Sequence, residues 1–419
     1  MSWIIVLFVL GYLLIIAEHS IRVNKSAIAL LLAVGMWGIF ALASPEQFSH
    51  QGLMEHLGQI SEIIFFLMGA MTIVELIDAH EGFSVLTGHI TTSNKVKLLW
   101  LISFITFFLS AVLDNLTTSI VMVTLIRKLI AEKNVRRFFA GMIIIAANSG
   151  GAFSPIGDVT TIMLWVGGHV TAWNIIIKTF IPSVVSLLIP LIMLSPVMKG
   201  IVVKPHQKEI SVQYKTAVWE RNIVFYLGIG VLLFVPVFNL LTTLPPYLGI
   251  LFGLGLLWVV TELMHKSKND AYKPMVTVAG VIRRIDTPSM LFFLGILLSV
   301  AALESAGYLT LLASGLSKHI GNLYVINILI GVLSAVIDNV PLVAGAIGMY
   351  QAQFPVDHFF WEMLAYCAGT GGSILVIGSA AGVAVMGMEK LDFIWYLKRI
   401  APWALTGYLA GAAAYWCLA

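Results

Sequence analysis

Three aspartates carry most of the chemistry in this sequence, because each stands where an apolar stretch is interrupted. Asp114 and Asn115 break the run from Leu98 to Ile130, with Thr117 and Thr118 just after them. Asp338 and Asn339 break a second run ahead of Pro341, and Asp158 closes a stretch that holds Asn148, Ser149, Gly150, Gly151, Ser154 and Gly157. Carboxylates mixed with amide, hydroxyl and freed carbonyl oxygens are what a hard, weakly held alkali cation needs. A carboxylate that takes either Na⁺ or H⁺, never both, couples the two by competition alone. We therefore expect the ligands of an alkali cation such as Na⁺ among Asp114, Asn115, Thr117, Thr118, Asn148, Ser149, Ser154, Asp158, Asp338 and Asn339. Asp114, Asp158 and Asp338 are the expected proton carriers, and Thr160 adds a further neutral oxygen. The competing reading is that the aspartates only cap half-helices and pair with basic residues, but no Lys or Arg lies beside the breaks in sequence.

The elements that position these groups must cross a bilayer. Of 419 residues, 59% are hydrophobic and 11% charged, against about 25% charged in soluble domains, which excludes an ordinary soluble protein. The mean hydropathy of +0.96 is too high for cores alone to hide the apolar surface, so lipid is the expected partner. The net charge of +3 comes from basic residues in short connections, so it gives no reason to expect a nucleic-acid partner. Cys367 and Cys417 lie inside apolar runs, leaving no disulfide framework or paired-cysteine metal site. The run Trp3–Ala17 has no basic flank before it and no small-residue cleavage motif after it, and reads as a retained span.

Apolar runs of spanning length fall at about 2–18, 26–43, 59–78, 173–198, 222–241, 246–263, 287–304 and 400–418. The run 98–130 is too long for one crossing, since its helix would measure about 50 Å, and too short for two. We expect a re-entrant hairpin at 98–130, with arms of about 16 and 12 residues, and a second at 322–350, where Pro341 disfavours helix at Asn339 and Val340. Each hairpin precedes a helix unwound at mid-depth, 137–168 and 359–390, with glycines at the break.

Ser110–Asn115 recurs as Ser334–Asn339, identical at five of six positions and 224 residues apart. Gly150, Gly151 and Gly157 match Gly371, Gly372 and Gly378 at a separation of 221. The chain thus divides into repeat 1 (1–198), a cytoplasmic linker (199–221) and repeat 2 (222–419). With re-entrant hairpins each repeat has five spans, and the second is inverted. That arrangement puts 22 of the 24 Lys and Arg on one side, as cytoplasmic loops require, with both termini outside. The expected fold is therefore an all-α polytopic membrane protein of two inverted-topology repeats, each with five spans and one re-entrant hairpin, and with interrupted helices at the midplane. Such repeats are a transporter signature, which points away from an enzyme and from any resident cofactor.

The strings Ala111–Thr118 and Asn148–Thr161 resemble those of the NhaD-type sodium/proton antiporters of the ion transporter superfamily, and the likeness covers almost the whole chain. The resemblance implies exchange of Na⁺ and Li⁺ for H⁺ across a bacterial inner membrane, serving pH homeostasis. It also implies a homodimer, and a transport unit of about 85–168 and 305–390 moving against a scaffold in elevator fashion. Where dicarboxylate carriers of the superfamily carry serine at the hairpin tips, Asp114 and Asp338 stand here, which favours a cation over an anion. The alternatives are a permease of the same superfamily for arsenite or a carboxylate, and, from a different class, an intramembrane aspartyl protease with paired carboxylates.

Overall fold

A computed structural model describes residues 2–16, 18–46, 48–87, 92–203, 217–266 and 276–418. Positions 204–216 of the expected linker lie outside the described residues. The chain folds as helices: α1 (Ser2–Ile16), α2 (Lys25–Ala43), α3 (His50–Ala79), α4 (Lys95–Leu113), α5 (Asn115–Leu129), α6 (Lys133–Ala152), α7 (Val159–Val166), α8 (Ala172–Leu194) and α9 (Val218–Thr242). They continue with α10 (Pro246–His265), α11 (Thr287–Ser305), α12 (Tyr308–His319), α13 (Leu323–Ser334), α14 (Asn339–Tyr350), α15 (Phe359–Gly371), α16 (Ala380–Glu389), α17 (Phe393–Arg399) and α18 (Ala401–Leu418). Among the described residues, seven helices are long and apolar enough to cross a membrane: α2, α3, α4, α8, α9, α10 and α11.

Polar caps set many of these boundaries, because a side-chain oxygen just ahead of a helix satisfies an N–H the first turn leaves unpaired. Asn24 accepts from Ser26, Asn94 from Lys97, Thr171 from Asn174, Asn322 from Tyr324 and Ser379 from Gly382. Three expected boundaries need correction. The first hairpin has arms of 19 and 15 residues rather than about 16 and 12, and one residue, Asp114, forms its break. Helix α6 continues through Asn148, Ser149, Gly150 and Gly151, so that chain unwinds only from Phe153 to Asp158. Pro341 does not keep Asn339 and Val340 out of helix: it is the third residue of α14, in the first turn, where a missing N–H costs nothing.

Helices α6 and α15 form the centre. Every residue from Phe139 to Ala152 and from Phe360 to Gly371 is buried. Each lies against the first arm of the hairpin before it, α4 on α6 and α13 on α15. Glycine makes that approach feasible: a Cβ on Gly150 would stand 2.0 Å from the carbonyl oxygen of Phe107, and one on Gly371 2.0 Å from that of Gly331. Ser110 donates to the carbonyl of Ala147 at 2.6 Å, and Ser334 to that of Ala368 at 2.9 Å. Other pairings also occur twice: α2 with α11 and α10 with α3, α5 with α16 and α14 with α7, α6 with α8 and α15 with α18.

The hairpin ends are tied at opposite ends of the central helices. Gly200 accepts from the Lys95 N–H, Val202 donates to Ser93, and Val203 accepts from the Ala131 N–H, so one short segment binds both ends of the first hairpin. Close to these ends, the buried Glu389 carboxylate at the end of α16 pairs with Arg127 at 2.6 Å and Arg136 at 3.0 Å. Both ends of the second hairpin meet the start of α15, where Tyr324 stacks on Phe359 and Tyr350 packs on Phe360. There the Asp357 carboxylate accepts from the N–H and hydroxyl of Thr171, just beyond α7.

Candidate functional site

The three breaks meet in one cavity. Asp114, Asn115, Leu116, Thr117, Asp158, Asp338 and Asn339 line a space of about 70 Å³, closed by Lys25 and Ser289 from the starts of α2 and α11 and by apolar side chains of α3 and α10. At its centre is Asp158, 2% exposed, held at the start of α7. Its carboxylate accepts from the side-chain N–H of Asn115 at 3.0 Å, that of Asn339 at 3.0 Å, and the hydroxyl of Thr160 at 2.6 Å. The asparagines of the two hairpin tips, one from each half of the chain, thus converge on a single carboxylate. Asn115 also donates to Asn148, and Asn148 donates to Ser379, which extends the network into α6 and α16.

The other two aspartates end hairpin arms and differ in their partners. Asp114 has φ 90° and ψ 158°, a region costly for any residue with a Cβ. Both of its carboxylate oxygens are occupied by Thr117, one by the N–H and one by the hydroxyl, each at 2.8 Å. Asp338 accepts from the Val340 N–H with one oxygen at 3.2 Å, while its other oxygen meets the Lys25 ammonium at 3.3 Å. No Lys or Arg lies beside the breaks in sequence, yet this ion pair gives Asp338 the basic partner that the capping reading calls for. Lys25 is 313 residues from Asp338 in sequence, so only the fold could bring them together.

The remaining expected ligands are placed differently. Ser149 accepts from Ser186 on α8, and Ser154 donates to the carbonyl of Ala111, so both hydroxyls tie helices together. Thr118 is fully buried and its hydroxyl has no partner among the described residues. The three carboxylates share a cavity without forming a tight cluster: no group of three or more His, Cys, Asp or Glu among the described residues is placed to hold a metal ion. A cation here would rest on one carboxylate and neutral oxygens. The asparagines suit that use, since turning either amide over presents a carbonyl oxygen in place of the N–H now given to Asp158.

Comparison with known proteins bears on this geometry. A family model described as a citrate transporter matches residues 12–363. The chain is 50% identical over 411 residues to sodium/proton antiporter 1 of Arabidopsis thaliana, covering 98% of this chain and 71% of that protein. It is 46% identical over 414 residues to sodium/proton antiporter 2 of the same plant, covering 98% and 97%. The Na⁺/H⁺ antiporter NhaD of Vibrio cholerae is 31% identical over 443 residues, covering 97% and 89%. The chain belongs to the NhaD-type sodium/proton antiporter family. Family membership makes it a transporter, and in this NhaD-type chain the cavity is where the asparagines and aspartates of both hairpin tips come together.

Proposed function

We propose that the protein exchanges Na⁺, and Li⁺ with it, for H⁺ across a membrane, by competition of cation and proton for Asp158, Asp114 and Asp338. The observation that carries this reading is the carboxylate of Asp158, buried with no basic partner among the described residues and held by neutral donors, the asparagines of both hairpin tips and Thr160 of its own helix. A buried carboxylate is costly unless its charge is offset, and a proton or a small cation offsets it equally well. The three carboxylates and one ammonium of the cavity also oppose a polyanion, so the citrate in the matching family's description does not suit this lining.

The pairings that occur twice and the tethering of each hairpin at its own end support two inverted repeats with re-entrant hairpins, 98–130 and 322–350 in sequence terms. The basic-residue count supports termini on the outside. Lys25 and Ser289 bring the starts of α2 and α11 to the cavity, which supports an opening toward the basic side of the expected topology. We infer that opening it to the other side requires the hairpins and broken helices to shift against α2, α3, α10 and α11, as an elevator motion in a homodimer would do. The bacterial inner membrane is the setting this reading assumes.

The test is collapse of a respiration-driven pH gradient in everted membrane vesicles from a host lacking its own antiporters, across pH 7 to 9. Na⁺ and Li⁺ should collapse the gradient and choline should not. Asp158→Asn, present in the membrane at the normal level, should fall to background. Collapse by citrate or arsenite in place of Na⁺ would move the function to another substrate of the same fold.

A further inference from the structure

Lys25 is a charged group that the competition scheme does not use, and its position is specific. Its ammonium lies 3.3 Å from Asp338 and 4.2 Å from the centre of the Phe292 ring, with the Lys25 and Asp338 side chains 30% and 21% exposed. Its backbone N–H donates to Glu18, and the neighbouring Ser26 donates to the carbonyl of Pro288, which fixes the start of α2 beside α11.

The two hairpin tips show why Asp338 takes this partner and Asp114 does not. Thr117 and Pro341 occupy equivalent positions, third in the helices that follow the aspartates. Thr117 supplies an N–H and a hydroxyl and fills both oxygens of Asp114. Pro341 has neither donor, so Asp338 retains one oxygen that its own helix cannot satisfy. Helix α10, the counterpart of α2, places Ile250 rather than a basic residue in the cavity wall, and no ion pair reaches Asp114 among the described residues. The asymmetry is therefore written twice, in the loss of a donor at one tip and the supply of a cation to the same tip.

We propose that Lys25 is a tethered internal cation: its ammonium fills the place at Asp338 that a transported Na⁺ takes, and the entering ion displaces it. The ammonium keeps all its protons throughout; it moves from Asp338 toward the Phe292 face and the cavity mouth, and it returns when the cation leaves. Its displacement also breaks the ion pair that joins α2 to the tip of the second hairpin, so cation occupancy releases a link between the static and moving parts. The proposal rests on the cation reading of the cavity and adds a specific competitor to it. A purely structural ion pair has a different signature, since removing it would weaken or leave unchanged the binding of Na⁺.

The experiment is equilibrium binding of radioactive Na⁺ to the purified full-length protein in detergent, for wild type, Lys25→Gln and Lys25→Arg. Lys25→Gln should bind Na⁺ about tenfold more tightly, the scale of one partly screened charge at this distance, while Lys25→Arg stays within about threefold of wild type. Equal or weaker binding by Lys25→Gln overturns the proposal while leaving the cation site intact; no saturable binding by any form overturns both. A second measurement uses the wild-type protein alone: acylation of Lys25 by an amine-reactive reagent at mildly alkaline pH, read by peptide mass spectrometry. Na⁺ should increase labelling of Lys25 relative to choline, and equal or reduced labelling would contradict displacement.

Discussion

At the residue scale, Asp114 separates stability from function. Its φ of 90° carries a strain of about 1–3 kcal/mol for a residue with a Cβ, which glycine would not pay. Its cap on α5 is worth about 1 kcal/mol, but glycine at a cap loses only a few tenths of that. Asp114→Gly should therefore leave the protein as stable as wild type or more stable by about 1 kcal/mol, with exchange lost; thermal unfolding in detergent checks the first and vesicle assays the second. A marked drop in unfolding temperature would make Asp114 a structural cap. The residues that sequence singled out at the breaks do line one cavity in Asp114, Asn115, Thr117, Asp158, Asp338 and Asn339. Ser149 and Ser154 lie near the break but turn elsewhere: Ser149 sits on a helix packed against several neighbours and meets α8, and Ser154, in the unwound stretch, is held by the carbonyl of Ala111. Lys25 illustrates the opposite case, because an ion pair across 313 residues leaves no local signal.

At the element scale, the interruptions between α4 and α5, α6 and α7, and α13 and α14 were legible because charge, glycine and length all conflict with an ordinary span at the same places. The positions of the breaks were less so. Asn148–Gly151 read as unwound because glycine disfavours helix, yet α6 runs through them, since Gly150 is there to let the backbone of α4 approach. The same reason places Gly371 against Gly331. Gly150→Ala and Gly371→Ala should each destabilise the protein, by about 1–3 kcal/mol or more, because a methyl group must push a neighbouring backbone aside. Both should show a lower unfolding temperature or poor accumulation, whereas Gly38→Ala, where a Cβ meets nothing within 4 Å, should not. Equal behaviour of all three would remove close packing as the reason for these glycines. Pro341 misled the reading of α14 in a related way: helix disfavour before proline is a tendency, and the first turn of a helix tolerates the ring.

For the whole molecule, the duplicated pairings and the separate tethering of the two hairpins give a topology that labelling can check. In a Cys417→Ser background, with Cys367 buried, single cysteines at Ser93 and Ala131 should react with an impermeant thiol reagent from one face of the membrane. Cysteines at Asn322 and Gln351 should react from the other. Labelling of Ser93 and Ala131 sites from opposite faces would mean that the first hairpin crosses. The 224-residue spacing and the basic-residue asymmetry behind the expected inverted repeat are long-range properties of the chain, readable without the fold. The convergence of both tips on Asp158 is not, because it depends on how the halves pack.

The competition of Na⁺ and H⁺ for these carboxylates is tested most directly by proton release from purified protein in weakly buffered detergent on addition of Na⁺. Wild type should release protons saturably with Na⁺ and Li⁺ and not with choline, and Asp158→Asn should release far fewer. Saturable Na⁺ binding with no proton release between pH 7 and 9 would contradict competition as the basis of exchange.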